Sequence, residues 1–262
     1  LNLNPATNNP VVDTEKELSE VPKPEPLADI EGKMVAAIDM YLKYVNDPKD
    51  DEFTEMKFNK AQVLWRHNHF DEAIPILEEV LVARPDHQYA EVFANVLLDA
   101  LNRSQRIKDL IAWTDRLLGM EKFLADKADM RGDLEKIKRW SMRRLAEKLE
   151  KDGKYRECGN AYLDIFNRYP IGEDLDEVLH NAGVCFEKGK LPGQAIFVRK
   201  SLIEKFPNKP LAQKAQYALG ISYAAIAYYD QAASQYEEYA KKFSGEKDAQ
   251  AALSLILKSM GV

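Results

Sequence analysis

His67 and His69 flank Asn68, and an imidazole pair at this spacing is the first arrangement in the chain that could hold a metal or move a proton. Spacing places no third ligand beside them, and the polarity of an exposed turn accounts for both. His87 follows the helix-ending Pro85, and His180 lies on the inner face of a helical stretch. Neither has a nucleophile at a readable distance. Cys158 fills a small-residue packing position and Cys185 lies two residues past Gly183. Two cysteines are too few for a disulfide framework, so buried thiols are expected, with a disulfide between neighbouring hairpins as the alternative. The pattern assigns no catalytic residue, no metal site and no cofactor, and the expectation is a protein that is not an enzyme.

One cationic cluster stands out: Lys136, Lys138, Arg139, Arg143, Arg144 and Lys148, with Trp140 among them. Such a face could meet nucleic acid or an acidic partner. Glu135, Glu147, Glu150 and Asp152 are interleaved with it, which favours a solvated helix face. A formal net charge of -6 over 262 residues, 31% of them charged, gives polyanions nothing to seek, so no nucleic-acid partner is expected. A hydrophobic fraction of 45% suffices for one large or two ordinary domains with a real core. No stretch approaches the roughly 20 apolar residues that cross a bilayer, and no transmembrane segment is expected. The chain begins with Leu1 and shows no charged-then-apolar leader, which suggests a processed form or a piece of a longer protein.

These residues are positioned by a repeat. Segments 145–170, 182–207 and 219–244 align without gaps. Ala146, Gly183 and Gly220 are each 37 apart, as are Cys158, Ala195 and Ala232, and Pro170, Pro207 and Ser244. Towards the N-terminus, Ala36 and Ala73, and Pro48 and Pro85, keep the same spacing of 37. The physical reading is one helical hairpin per repeat. A small residue on each helix lets the backbones cross closely, and Pro ends the second helix because it cannot continue one. Tyr155, Tyr162, Ile165, Phe186, Ile196, Leu202, Tyr223, Tyr229 and Tyr236 are expected to fill the gaps.

Phe70-Asp71-Glu72-Ala73-Ile74 with Leu77, Leu81 and Pro85, and Gly183 with Phe186, Ala195, Leu202 and Pro207, resemble the tetratricopeptide repeat. The resemblance covers residues 30–260 and implies an all-α, right-handed superhelical solenoid of about five full hairpins and two halves, with a period of 37 where the family has 34. Glu204 to Ala212, followed by Ala218-Leu219-Gly220, is similar to extracytoplasmic repeat proteins of Gram-negative envelopes, such as outer-membrane-assembly lipoproteins and the Tol-associated periplasmic factor. That likeness favours a periplasmic or envelope location over the cytoplasm.

Four regions follow. Residues 1–27, rich in Pro and Asn, read as an extended or disordered lead-in. Residues 28–118 hold the N-terminal hairpins, opening on a half-repeat at 28–46. Residues 119–151 contain an eleven-residue insertion, placed between Gly119 and Gly132, and one long helix over 133–151. Residues 139–262 hold the C-terminal hairpins and end in a half-repeat at 247–258, where Leu253, Leu255, Ile256 and Leu257 leave apolar surface open to self-association.

In the family that the chain resembles, the concave groove is lined by set positions of each first helix. These fall on Phe58, Gln62 and Trp65; on Arg143 and Glu147; on His180 and Val184; and on Lys214, Tyr217 and Ile221. Some chaperone cofactors of the family clamp a C-terminal carboxylate there. Arg143, Asn181 and Lys214 match three of the five clamp positions, but Glu147 and Ala218 occupy the others, and Glu147 would repel a carboxylate. The aromatic and aliphatic members suit an amphipathic helix or an apolar-anchored extended segment. Equally, they could pack against the neighbouring hairpin. The expected function is a protein-binding scaffold or adaptor holding a peptide or helix of a partner, within a bacterial envelope assembly. The alternatives are a substrate-recruiting domain of a larger enzyme or regulator, and an RNA-binding helical repeat.

Overall fold

The computed structural model describes residues 20–45, 47–125 and 127–243, together with positions 12, 251, 254 and 255. Twelve helices run through residues 29–242: α1 (Asp29–Tyr44), α2 (Asp51–Arg66), α3 (Phe70–Ala83), α4 (Ala90–Arg103), α5 (Ile107–Leu118), α6 (Glu121–Leu124), α7 (Ala128–Lys151), α8 (Tyr155–Arg168), α9 (Leu175–Lys188), α10 (Pro192–Lys205), α11 (Pro210–Ala224) and α12 (Tyr229–Lys242), and residues 251, 254 and 255 are helical as well. They pair as antiparallel hairpins α2–α3, α4–α5, α7–α8, α9–α10 and α11–α12. The stack of tetratricopeptide-like hairpins implied by the sequence is what the chain forms. Most of the lead-in, and the C-terminal half-repeat apart from residues 251, 254 and 255, lie outside the described residues.

Two compact units divide the chain, Leu1–Ser141 and Met142–Val262, with the boundary inside α7. Unit 1 is built on fully buried Phe58, Ile74, Leu77, Phe93, Leu97 and Leu110. The expected insertion is the short α6 and the opening of α7, which begins at Ala128 rather than 133. Phe123 of α6 is fully buried in the same core, so this segment closes unit 1. In unit 2, Leu219, Tyr223, Ala232, Tyr236 and Tyr239 form a cluster against which Leu255 packs. Leu255 is therefore partly covered, while Leu253, Ile256 and Leu257 fall outside the described residues.

Each first helix ends the same way. Asn68, Gln105, Gly153, Lys190 and Ala227 take the left-handed conformation, with φ of 63°, 56°, 72°, 54° and 59°. The next residue then donates its N–H five residues back: His69 to Leu64 (2.9 Å), Arg106 to Leu101 (2.9 Å), Lys154 to Leu149 (2.8 Å), Leu191 to Phe186 (2.8 Å) and Tyr228 to Tyr223 (3.0 Å). This termination satisfies orphan carbonyls of the first helix and reverses the chain into the second. Pro192 and Pro210 open their helices where a missing N–H costs nothing.

The small positions are buried, with one exception, but they do not all act alike. Ala73, Ala146, Cys158, Ala195 and Ala232 have no exposed surface. A Cβ on Gly220 would stand 2.4 Å from the Tyr236 ring, whereas one on Gly183 would meet Arg199 Cγ at an ordinary 3.6 Å. Gly220 therefore permits a close crossing and Gly183 does not require one. Ala36 is exposed; among the described residues α1 is a lone second helix, with no first helix to press on that position. Tyr229, expected in the core, is 51% exposed because it opens α12 on the outer side of the turn.

Candidate partner-binding surface

The groove positions of unit 1 lie mostly in the core. Phe58 is fully buried, its ring 4.4 Å from that of Phe93. Gln62 is 5% exposed, and its amide nitrogen has no hydrogen-bond partner among the described residues. Neither presents a surface to a partner, because α4 packs over this face of α2. Trp65 is half-buried. Its indole N–H donates to Asp99 Oδ2 at 2.7 Å, and the Arg103 guanidinium lies 5.7 Å from its ring. Burial raises the Asp99 carboxyl above its ordinary value, opposed by the Trp65 bond and Arg103.

Unit 2 keeps its groove positions closer to solvent. Arg143 on α7 is tied to Asp174 at 2.5 Å and lies 3.8 Å from Glu177. His180 and Val184 on α9 are half-buried, Lys214 on α11 is exposed, and Ile221 is 40% exposed. Burial, Lys214 and Arg199 hold the His180 imidazole below its ordinary pKa, so it is neutral at pH 7. Tyr217 is half-buried and leans on Tyr236 and Tyr239, at 5.7 and 5.4 Å between ring centres. It braces its own hairpin and shows only part of its ring. The arrangement offers no carboxylate clamp. Arg143 is spent on Asp174, and Asn181 is hydrogen-bonded to Tyr162, whose hydroxyl burial pushes up to about 12.

The histidine pair of the first turn does work that the sequence did not reveal. His67 Nε2 lies 2.7 Å from Glu31 Oε2 of α1, and His69 Nε2 lies 2.8 Å from the Glu25 carbonyl. Asn68 donates its side-chain amide to the Lys23 carbonyl at 3.1 Å, and the Glu25 N–H donates to the His67 carbonyl at 2.8 Å. The turn therefore grips the proline-spaced segment Val21–Glu25 through backbone groups. Only the alternation of Pro22, Pro24 and Pro26 hinted at such a segment, by holding it out of a helix.

Three members of the basic stretch, Lys136, Lys138 and Arg143, are paired with carboxylates. Lys138 is buried rather than solvated and meets Asp115 at 2.5 Å, while Lys136 meets Asp133 at 3.3 Å. Trp140 packs against the core of unit 1. Cys158 and Cys185 form a disulfide that joins α8 to α9, with Cα atoms 5.9 Å apart, so the alternative pairing and not the pair of free thiols is realised. Glu150 lies within 4.8 Å of both sulfurs, but sulfurs bonded to each other cannot serve as thiolate ligands.

No family model matches the chain, and no curated protein matches it. Solved structures do. The TPR2AB domain of yeast Sti1, in its complex with pHSP90, is 16% identical, covering 88% of this chain and 92% of that one, with a TM-score of 0.37. The TPR domain of P58(IPK) is also 16% identical, over 88% of this chain and 62% of that one, with a TM-score of 0.40. A kinesin light chain protein from Podosopora anserina with nearly identical TPR-like repeats is 11% identical, over 78% of this chain and all of that one, at a TM-score of 0.36. The chain is similar to tetratricopeptide domains.

Proposed function

We propose that the chain is a protein-binding scaffold and that α9 and α11 of unit 2 present the face that receives a helix or extended segment of a partner. The observation that carries this reading is Ile221, a large aliphatic side chain 40% exposed on a well-braced helix. Val184 and Tyr217 extend its apolar surface, and Lys214 and neutral His180 rim it. An apolar centre inside a polar rim is the anatomy of a protein interface. The Cys158–Cys185 disulfide supports an oxidising location, which agrees with the periplasm or cell envelope.

The test is a Val184→Asp/Lys214→Glu double variant. Wild type and variant are used as bait in native extract after matched thermal melts. A partner held by the wild type and lost by the folded variant supports the face. Recovery of the same partner by wild type and variant alike moves the site elsewhere. The compartment is tested by alkylating the protein in its native cells with and without prior reduction. Cysteines that react before reduction would exclude an oxidising location.

A further inference from the structure

The turn that grips Val21–Glu25 in unit 1 has a counterpart in unit 2. Aligning the left-handed residues pairs Asn68 with Lys190 and Gln105 with Ala227. The same register pairs Phe70 with Pro192, Asp99 with Ile221 and Arg103 with Ala225. In unit 1 Arg103 fills the space between successive hairpins: it reaches back from α4, hydrogen-bonds the Asn68 side chain, and lies 5.0 Å from the Phe70 ring as well as over Trp65. The proline-spaced segment lies along the turn, where Val21, Pro22 and Pro24 line a cavity of 260 Å³ with Asn68, Phe70 and Arg106.

In unit 2 every closing group is missing. Ala225 is too short to reach across, Ile221 replaces the carboxylate, and Pro192 replaces the aromatic ring. The result is a cavity of 340 Å³ between Leu191, Pro192, Ala195, Ile221 and Ala225, with Glu187 and Lys190 at its edge. Beneath it, buried Arg199 binds Glu187 at 2.5 Å, the Ala218 carbonyl at 3.1 Å and the Ser222 hydroxyl, so the floor is fixed.

We propose that this crevice docks an extended, proline-spaced segment of a partner protein, seated on the α9–α10 turn as Val21–Glu25 is seated on the α2–α3 turn. The shared turn geometry puts the Gly189 carbonyl in the place of the His67 carbonyl, and Lys190, in the backbone position of Asn68, brings an ammonium donor. They receive the segment's backbone N–H and carbonyl. One apolar side chain of the segment fills the cavity that Arg103 fills in unit 1. A segment held out of helix by its prolines loses little conformational freedom on binding, which suits it to such a narrow site.

The test uses the full chain and an array of synthetic octapeptides built on an Xaa-Pro-Xaa-Pro frame, with apolar and charged residues varied at the open positions and each peptide matched by a proline-to-alanine control. Fluorescence anisotropy on the best binders is then repeated with Ala225→Arg, which installs the side chain that closes unit 1. The expected result is saturable binding that requires the prolines and one apolar residue, weakened at least ten-fold by Ala225→Arg at an unchanged melting temperature. Lys190→Ala, remote from Val184 and Lys214, is expected to weaken binding several-fold. Binding no better than the alanine controls, or binding indifferent to Ala225→Arg, overturns the proposal. The crevice shares Ile221 with the α9–α11 face of the proposed function, and Val184→Asp/Lys214→Glu, which leaves the crevice lining intact, tests that face by itself.

Discussion

The two units use one hairpin and one turn and both tie successive hairpins with polar pairs, but unit 2 adds a disulfide and a buried arginine. Unit 1 is laced by polar pairs between residues one repeat apart. Trp65 bonds Asp99 at 2.7 Å, Trp113 bonds Glu78 at 2.6 Å, and Arg106 meets Asp71, while Arg84 bonds Asp51 at 2.6 Å within the α2–α3 hairpin. Unit 2 has such pairs too, Arg143 with Asp174 at 2.5 Å and Lys188 with Glu150 at 2.7 Å, and adds the Cys158–Cys185 bond and the buried Arg199, while its tyrosines pack on the close crossing at Gly220 within the α11–α12 hairpin. In unit 1 Arg103 reaches across the crevice and fills the space that stands open between Pro192, Ile221 and Ala225 in unit 2. The covalent and aromatic joints of unit 2 lie within and between helices, so its crevice and its α9–α11 face stay open. The lesson is that a solenoid frees a surface for binding by moving its joints away from it.

The largest expected effect tests the covalent joint. Replacing Cys158 and Cys185 by Ala removes a cross-link over a sequence separation of 27. Loops of this size are stabilised by about 3 kcal/mol. Trp65, Trp113 and Trp140, the three tryptophans of the chain, all lie in unit 1. Tryptophan fluorescence during denaturation therefore follows unit 1, and tyrosine near-ultraviolet dichroism reports on the tyrosine-rich core of unit 2. The tyrosine transition should move to lower denaturant and the tryptophan transition should hold. An unmoved tyrosine transition would show that aromatic packing alone holds unit 2.

Next comes the polar lacing itself. Arg103→Ala removes a guanidinium that is paired with Asp99 at 3.7 Å, bonded to Asn68 and placed over two rings. A partly buried cation with these contacts contributes about 1–2 kcal/mol. The tryptophan transition should move by that amount, and Trp65 emission should shift to the red as water enters. Should neither change, the crevice of unit 1 is shut by something other than Arg103, and the contrast between the units fails.

Much of this was legible in the residues. Spacing alone gave the hairpins, because close helix crossings demand small residues at fixed intervals, and Ala73, Ala195 and Ala232 are buried as that demands. The site was harder to read. Gln62 and Ile221 occupy the same groove position by register, yet one is 5% exposed and the other 40%. What separates them is the side chain that the next hairpin sends across, and that is a property of a pair of repeats rather than of either one. The grip of His67, Asn68 and His69 on the lead-in was hidden for a different reason. It runs through backbone carbonyls and N–H groups, which any sequence supplies. The disulfide was open because 27 residues of separation permit pairing without requiring it.

The smallest effect concerns the turns, the one feature both units share. A non-glycine residue in the left-handed region pays about 1 kcal/mol unless its side chain compensates. Asn68, at φ 63°, is compensated. Its amide holds Lys23, and its carbonyl accepts from Arg103. Ala227, at φ 59°, has a methyl group that can form no such bond. Ala227→Gly should therefore stabilise unit 2 by about 1 kcal/mol, visible as a later tyrosine transition. Asn68→Gly relieves the same strain but cuts two hydrogen bonds, and should destabilise unit 1 in the tryptophan signal. Opposite signs for one substitution at equivalent positions would show that the turn is a plain connector in unit 2 and a binding element in unit 1. Equal signs would mean that backbone strain outweighs the grip on the lead-in, and that the proline-spaced segment is held mainly by α1 and Glu31.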